Sequence, residues 1–361
     1  MSDPRARRLA QLVEGLTAAH LDGLLLTSLP NIRYLTGFSG TSALLFVTAR
    51  EAVLITDFRY QTQVADEVTD RVRVVIEGQS LWTGLWQQLG QTGLAVAGFE
   101  SSHLPHRDFQ RLLEQGARYQ WRPVVDLVET LRERKDDGEV MLITRAAEVA
   151  CTALGATLPQ VRAGMSELAV AGVLEKALRD AGSEDFPFPS IVASGPRSAL
   201  PHARSSGRTI GAGDLLLLDF GAVVQGYCAD VTRTVVVGRA TGEQREVHDV
   251  VRVANERAAA AVRPGMTGRD ADAVARGYIE QCGMGELFGH SLGHGLGLEV
   301  HEAPRLARTA EGALPEGAVV TIEPGVYRPG WGGVRIEDDV HLTAAGPRIL
   351  TPFTRELVEL G

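Results

Sequence analysis

The second and last thirds of this 361-residue chain repeat one another, and the repeat limits the fold more than any single motif does. Val161-Arg162-Ala163-Gly164-Met165-Ser166 and Val262-Arg263-Pro264-Gly265-Met266-Thr267 are near copies. Each ends a long helical pattern, over 139–161 or 243–262, and precedes a second one with Ser166 or Thr267 as its N-cap. The second helices are expected to run to Ala181 and Gln281. Each copy then has an apolar run holding an acid, Asp219 in 215–221 and Glu323 in 318–326, and a later arm with Asp230 or Glu337. The offsets are 101 residues from Val161 to Val262, 104 from Asp219 to Glu323 and 107 from Asp230 to Glu337. Three matches in order at such offsets read as a duplicated unit of two helices and a hairpin, not a solenoid.

Duplication places Asp219, Asp230, Glu323 and Glu337 face to face in one core. Buried carboxylates are costly unless paired or metal-bound, and four together would be driven to protonate. Arg233 is the only base in the first hairpin, so two divalent cations are expected. Between the acids lies FGHSLGHGLGLEVHE, with His290, His294, His301 and four glycines that let backbone pass close to a site. Four carboxylates and one imidazole make a mainly oxygen-donor site. That suits Mn²⁺, with Co²⁺, Zn²⁺ and Fe²⁺ as alternatives. GHGLG has neither a Walker lysine nor Rossmann spacing, which argues against a phosphate loop. His103, His106, His248 and His341 read as surface or core histidines.

The first third alternates strands and helices. A helix is expected over 5–20, and strands over 21–27, 43–47, 52–56, 71–76 and 94–99. Short helices are expected around Leu81, Leu85, Trp86 and Leu89, and around Phe109, Leu112 and Leu113. This is an α/β domain. Two polar clusters, NIRYLTGF at 31–38 and TDFRY at 56–60, lie beside strand ends, where loops often carry function. A plain turn and helix start would account for them equally. The charged run LRERKDDG at 131–138 marks a boundary, giving domains 1–130 and 131–361.

A net charge of -9 argues against a nucleic-acid partner. Three widely spaced cysteines, none in a CxxC pair, argue against a disulfide framework and for a reducing compartment. Residues 1–11 lack an apolar signal core, and no apolar run approaches ~18 residues. No membrane partner is expected, and the location is expected to be cytoplasmic.

The segments LDFGAVVQGYCADVTRT, HSLGHGLGLEVHE, TIEPGVY, GGVRIED and SGPRSALPH resemble the creatinase-like or "pita-bread" metallopeptidases. NIRYLTGF and TDFRY resemble the extra domain of the Xaa-Pro-specific branch, which includes aminopeptidase P and prolidase. The resemblance implies an α/β N-terminal domain and an α+β pita-bread catalytic domain with internal pseudo-two-fold duplication. It implies metal ligands Asp219, Asp230, His294, Glu323 and Glu337, with Asp230 and Glu337 bridging two ions. It further implies Glu323 as general acid and base, His202 and His301 at the scissile carbonyl, and His290 and Arg335 lining the substrate site.

The expected activity is an Xaa-Pro aminopeptidase, resembling small two-domain bacterial enzymes; the alternative is an Xaa-Pro dipeptidase. Substrates would be proline-containing peptides or dipeptides. A dipeptidase must cap the substrate carboxylate, often with Arg, and Arg197, Arg204, Arg305 and Arg335 are the candidates. The N-terminal resemblance also implies a homodimer. A catalytically inactive peptide-binding scaffold is a remote alternative, because all five ligand positions are filled.

Overall fold

The structure, a computed structural model, describes residues 3–90 and 93–361. It divides between Arg132 and Glu133 into two compact units. The first is a six-stranded sheet in the order Val72–Glu77, Ala52–Asp57, Leu44–Thr48, Gly23–Leu26, Val96–Glu100, Gln120–Val124. Leu44–Thr48 is antiparallel to both its neighbours, and the other pairings are parallel. Gly23–Leu26 and Leu44–Thr48 are buried along their whole length, as near-continuous apolar runs in a covered sheet should be. The last strand was not expected from the sequence. It carries Gln120, Arg122 and Pro123, and it lies at the sheet edge where a missing N–H is tolerated.

The 31–38 cluster is mostly helix rather than loop. Leu29–Thr36 starts with Pro30 in its first turn and stops at Gly37, whose φ is 89°. Asn31 is fully buried and donates to Glu100 at 2.7 Å and Glu129 at 2.6 Å, while Arg132 donates to its Oδ1 at 2.7 Å. Glu100 also accepts from the Thr27 and Ser28 amides. These polar groups hold the unit together. In the 56–60 cluster, Asp57 accepts from the Arg59 amide at 3.1 Å and from Arg59 Nε at 2.8 Å.

The second unit displays the duplication element by element. Helices Asp137–Thr157 and Glu167–Asp180 lead to strand Ile191–Ser194; helices Gly242–Ala261 and Gly268–Gln281 lead to strand Gly293–Gly295. Both long helices begin with a capping box, Asp136 with Glu139 and Thr241 with Gln244. Both second helices are capped as expected, Ser166 accepting from the Ala169 amide and Thr267 from the Asp270 amide. Each cap residue also forms a lone antiparallel bridge, Ser166 with Thr209 and Thr267 with Ala313.

Each copy ends in a nested hairpin. Leu215–Phe220 pairs with Val231–Val237 around the inner pair Val223–Val224 and Tyr227–Cys228. Gln225 and Gly226 both have positive φ, 46° and 77°, the conformation of a two-residue hairpin turn. In the second copy Val319–Ile322 pairs with Asp338–Thr343 around Gly325–Arg328 and Gly332–Arg335. The leading strands, Ile191–Ser194 and Gly293–Gly295, join their hairpins antiparallel in both copies. Apolar cores form around each helix pair. The stretch Asp137–Gln160 is long and apolar enough by composition to cross a membrane, but 56% of its apolar 18-residue window is buried, as in a core helix.

Candidate metal centre

Strand ends put the acids where the two hairpins meet. Asp219 lies one residue before the end of Leu215–Phe220, and Asp230 directly precedes Val231–Val237. Glu323 directly follows Val319–Ile322, and Glu337 directly precedes Asp338–Thr343. The hairpins are tied together by backbone: the Glu337 amide donates to Thr232 O at 3.1 Å, and the Asp230 amide donates to Asp339 Oδ2 at 3.2 Å. His294 is the middle residue of Gly293–Gly295. Glycine on both sides lets that strand close in, since a Cβ on Gly293 would sit 2.0 Å from Thr321 O and one on Gly295 2.1 Å from Ala303 O.

Asp230, His294 and Glu337 each present a ligand atom, and these atoms all lie within 4.8 Å of one another. Glu323 Oε1 is 3.3 Å from His294 Nε2 and accepts from Thr321 Oγ1 at 3.2 Å. Glu337 accepts from Thr232 Oγ1 at 2.6 Å. His294 Nδ1 faces Gly295 O at 3.0 Å. A carbonyl can only accept, so Nδ1 carries the proton and the Nε2 lone pair faces the acids. Burial holds the His294 pKa down at about 4, keeping the ring neutral and able to ligate.

Two observations test whether a cation fits these residues. Asp230 Oδ1 is buried with no hydrogen-bond partner. Burial first, and then repulsion among the acids, lifts Asp230 and Glu337 far above the usual carboxylate range and Glu323 to about 8. A buried carboxylate oxygen without a protein donor, among acids that cannot all ionise together, is what a divalent cation requires. The residues fit.

Asp219 differs from the other three acids. It is paired with Arg335, which is only 4% exposed. Arg335 also donates to Thr232 Oγ1 at 3.1 Å, to Pro201 O at 3.3 Å and to the Tyr327 hydroxyl at 2.8 Å. Arg335, expected from the resemblance to line the substrate site, has its guanidinium bonded to these groups of the wall. Arg233, the only base in the first hairpin, turns the opposite way from Thr232, as strand alternation demands, and pairs with Asp338 at 2.8 Å.

His290 Nδ1 faces Ser291 O at 2.8 Å, so it donates there and Nε2 accepts from the Tyr327 hydroxyl at 2.9 Å. A directed chain results: Arg335 to Tyr327 to His290. Burial lowers the His290 pKa to about 4, which keeps Nε2 an acceptor. Tyr327 was missed from sequence, although it ends the quoted motif TIEPGVY. A tyrosine in a strand run carries no signal of its own in the sequence, and only the fold reveals the hydroxyl's partners, Arg335 and His290.

His301 and His202 are exposed. The His301 ring lies edge-on to that of His294, centroids 4.4 Å apart. His202 follows Pro201, whose carbonyl Arg335 holds. A cavity of about 410 Å³ borders His301, with Phe186, Pro187, Val223, Leu298 and Val300 as apolar walls. Among the four arginine candidates, Arg197 is paired with Glu167 at 3.1 Å. Arg305 is exposed, sits opposite His294 in the strand register, and its charge acts on both His294 and His301. His248 is core, 2% exposed, and His103 pairs at the surface with Glu129.

Comparison with known proteins agrees with this arrangement. Residues 141–344 match the model of metallopeptidase family M24, and residues 8–134 match the creatinase/prolidase N-terminal domain. The Xaa-Pro dipeptidase of Pyrococcus horikoshii is 36% identical over 353 residues, covering 97% of this chain and 98% of that protein. Among solved structures, an Xaa-Pro dipeptidase from Bacillus anthracis superposes with a TM-score of 0.95 at 38% identity, covering 99% of this chain and all of that one. An X-Pro aminopeptidase from Thermotoga maritima superposes at 0.90 with 36% identity, covering 97% of this chain and 99% of that one. The relatives favour the dipeptidase alternative over the aminopeptidase reading. The chain belongs to metallopeptidase family M24, with a creatinase-type N-terminal domain and a duplicated pita-bread catalytic domain.

Proposed function

We propose that this chain is a metal-dependent Xaa-Pro dipeptidase that splits the bond between a first residue and a following proline. The observation that carries the reading is the cluster of Asp230, His294 and Glu337, with a buried Asp230 oxygen lacking any protein partner. Asp219, Asp230, His294, Glu323 and Glu337 would hold two divalent ions, Mn²⁺ first, with Co²⁺ or Zn²⁺ as alternatives. Bound there, such ions lower the pKa of water toward neutrality and polarise a carbonyl.

The chain's own residues do the rest. Glu323, which accepts from Thr321, would take a proton and return it to the proline nitrogen, as general base and then acid. That nitrogen leaves as a neutral secondary amine only once it has been protonated. His301 and His202 would hold the substrate carbonyl and the negative charge that develops on it. The cavity beside His301 would take the side chain of the first residue. Arg305 would bind the dipeptide's carboxylate, since its charge reaches the site and its side chain is exposed. Arg335, Tyr327 and His290 would keep Asp219 and the site wall in place.

A specific observation keeps a second reading open: the structural likeness to an X-Pro aminopeptidase. The two readings part on substrate length. Ala-Pro, Ala-Pro-Ala and longer Xaa-Pro peptides should be incubated after EDTA treatment and again with Mn²⁺, Co²⁺ or Zn²⁺ restored. The dipeptidase predicts metal-dependent cleavage of Ala-Pro only, and loss of that cleavage in Arg305→Ala. Efficient cleavage of longer peptides selects the aminopeptidase. No cleavage of any of them refutes both. A homodimer and a cytoplasmic location belong to the proposal; the free cysteines Cys151, Cys228 and Cys282 suit a reducing compartment. A monomeric mass in ultracentrifugation would remove the dimer.

A further inference from the structure

Lys135 stands in the charged run that reads from sequence as a domain boundary, yet its side chain is only 1% exposed. Its Nζ lies 3.1 Å from Glu302 Oε2, 167 residues away, and the Glu302 side chain is only 6% exposed. Glu302 immediately follows His301. Its other oxygen, Oε1, accepts from the Glu299 amide at 3.0 Å and so closes the short loop that carries His301. The loop is packed tightly around that carboxylate. A Cβ on Gly297 would meet both Glu302 oxygens at 2.8 Å. The Gly297 amide in turn donates to Glu299 O at 3.0 Å, and Gly297 O accepts from the Cys228 amide at 2.7 Å. The lysine end is fixed as well, since the Lys135 amide donates to Gly317 O at 3.0 Å.

A buried ion pair is a poor way to gain stability, because desolvation offsets much of the attraction and an apolar pair of like size often does as well. What an ion pair supplies is direction. We propose that Lys135 and Glu302 are positioning residues that set the place of His301 at the scissile carbonyl. The inference rests on the reading of His301 as a substrate-holding group. The loop is an excursion between Gly293–Gly295 and Glu302–Leu306, and Lys135 gives it a buried anchor of opposite charge. Without the anchor the Glu302 carboxylate turns toward water, the Glu299 amide loses its acceptor, and the His301 ring leaves its contact with His294.

A double-mutant cycle tests this. Lys135→Met and Glu302→Gln should each be made in the parent and in His301→Ala, with kcat and KM measured on Ala-Pro in Mn²⁺. Misplacing a substrate-holding group should lower kcat/KM roughly 10- to 100-fold in the parent. In His301→Ala, where nothing remains to misplace, the same changes should cost under about twofold. Equal losses in both backgrounds, or none in the parent, overturn the proposal. Should Lys135→Met fail to fold, Glu302→Gln carries the test, because it removes the charge that holds the pair while keeping a side chain of the same size. A second readout needs neither metal nor activity: the ¹⁵N–¹H signals of the His301 imidazole, assigned by their loss in His301→Ala. They should shift or broaden in both variants while those of His248 stay put; unmoved His301 signals contradict the clamp. A parent that cleaves no Xaa-Pro substrate refutes the dipeptidase reading, and the imidazole signals then decide the clamp.

Discussion

Tyr327 shows how single atoms in the wall decide the chemistry of the centre. Its hydroxyl accepts from Arg335 and donates to His290, so one oxygen fixes both the guanidinium that holds Asp219 and the tautomer of a histidine. Tyr327→Phe removes that oxygen and leaves a buried guanidinium N–H without a partner. The expected stability loss is about 1–3 kcal/mol, read by urea unfolding, together with a fall in kcat/KM on Ala-Pro. Unchanged turnover would make the chain of donors a matter of packing alone. His248 gives a cleaner electrostatic case, being buried on the long helix Gly242–Ala261 and outside the cluster of acids at the metal centre. Burial lowers its pKa from 6.5 to about 4. Above pH 6.5 it is neutral folded or unfolded and contributes nothing to the pH dependence. Between 6.5 and 4 the unfolded chain binds a proton that the folded one refuses, so stability falls as the pH falls, by on the order of 3 kcal/mol at most. The difference in pH slope between the parent and His248→Gln, measured by denaturant unfolding, should isolate that contribution; identical slopes would contradict it.

At the scale of elements, what the sequence made legible was the periodic and the costly. Acids at the ends of apolar runs were readable because a carboxylate inside a strand pattern has no cheap explanation. The two helix pairs were readable because Ser166 and Thr267 cap at equivalent places. The edge strand Gln120–Val124 was not, because Gln120, Arg122 and Pro123 interrupt a run in which only Trp121 and Val124 are apolar. The helix Leu29–Thr36 was hidden by Pro30, which breaks helix interiors but suits a first turn. Lys135 and Tyr327 were hidden for another reason, since their partners lie on elements that are distant in sequence or that meet only through the fold. Element geometry also makes a prediction. Gly295→Ala must push a Cβ to 2.1 Å from the Ala303 carbonyl, a backbone clash that a rotamer cannot relieve. The cost should be about 1–3 kcal/mol or more, seen as a lower melting temperature. Metal affinity should fall as well, because His294 rides on the same short strand. A variant that binds Mn²⁺ as the parent does would show that the strand can yield without moving its ligand.

For the whole molecule, duplication explains why a buried cluster of acids is possible at all. Neither hairpin alone holds enough donors for a cation, and neither could shelter its carboxylates from water. Together they make a buried cradle, in which burial first and then repulsion among the acids drive Asp230 and Glu337 far above their usual range. Binding that relieves repulsion in the folded state only must stabilise that state. Removing metal should therefore lower the melting temperature, and Asp230→Asn should blunt the effect by taking away one charge and an unpartnered oxygen.

The most direct test of a cation-dependent Xaa-Pro dipeptidase is one titration followed in two ways. EDTA-stripped protein is given increasing Mn²⁺ while melting temperature and Ala-Pro hydrolysis are recorded on the same samples. The account predicts negligible hydrolysis without metal and a rise of both signals with metal, with Asp230→Asn failing to follow. Full hydrolysis of Ala-Pro in EDTA, or a parent that binds Mn²⁺ and still leaves Ala-Pro intact, would contradict it.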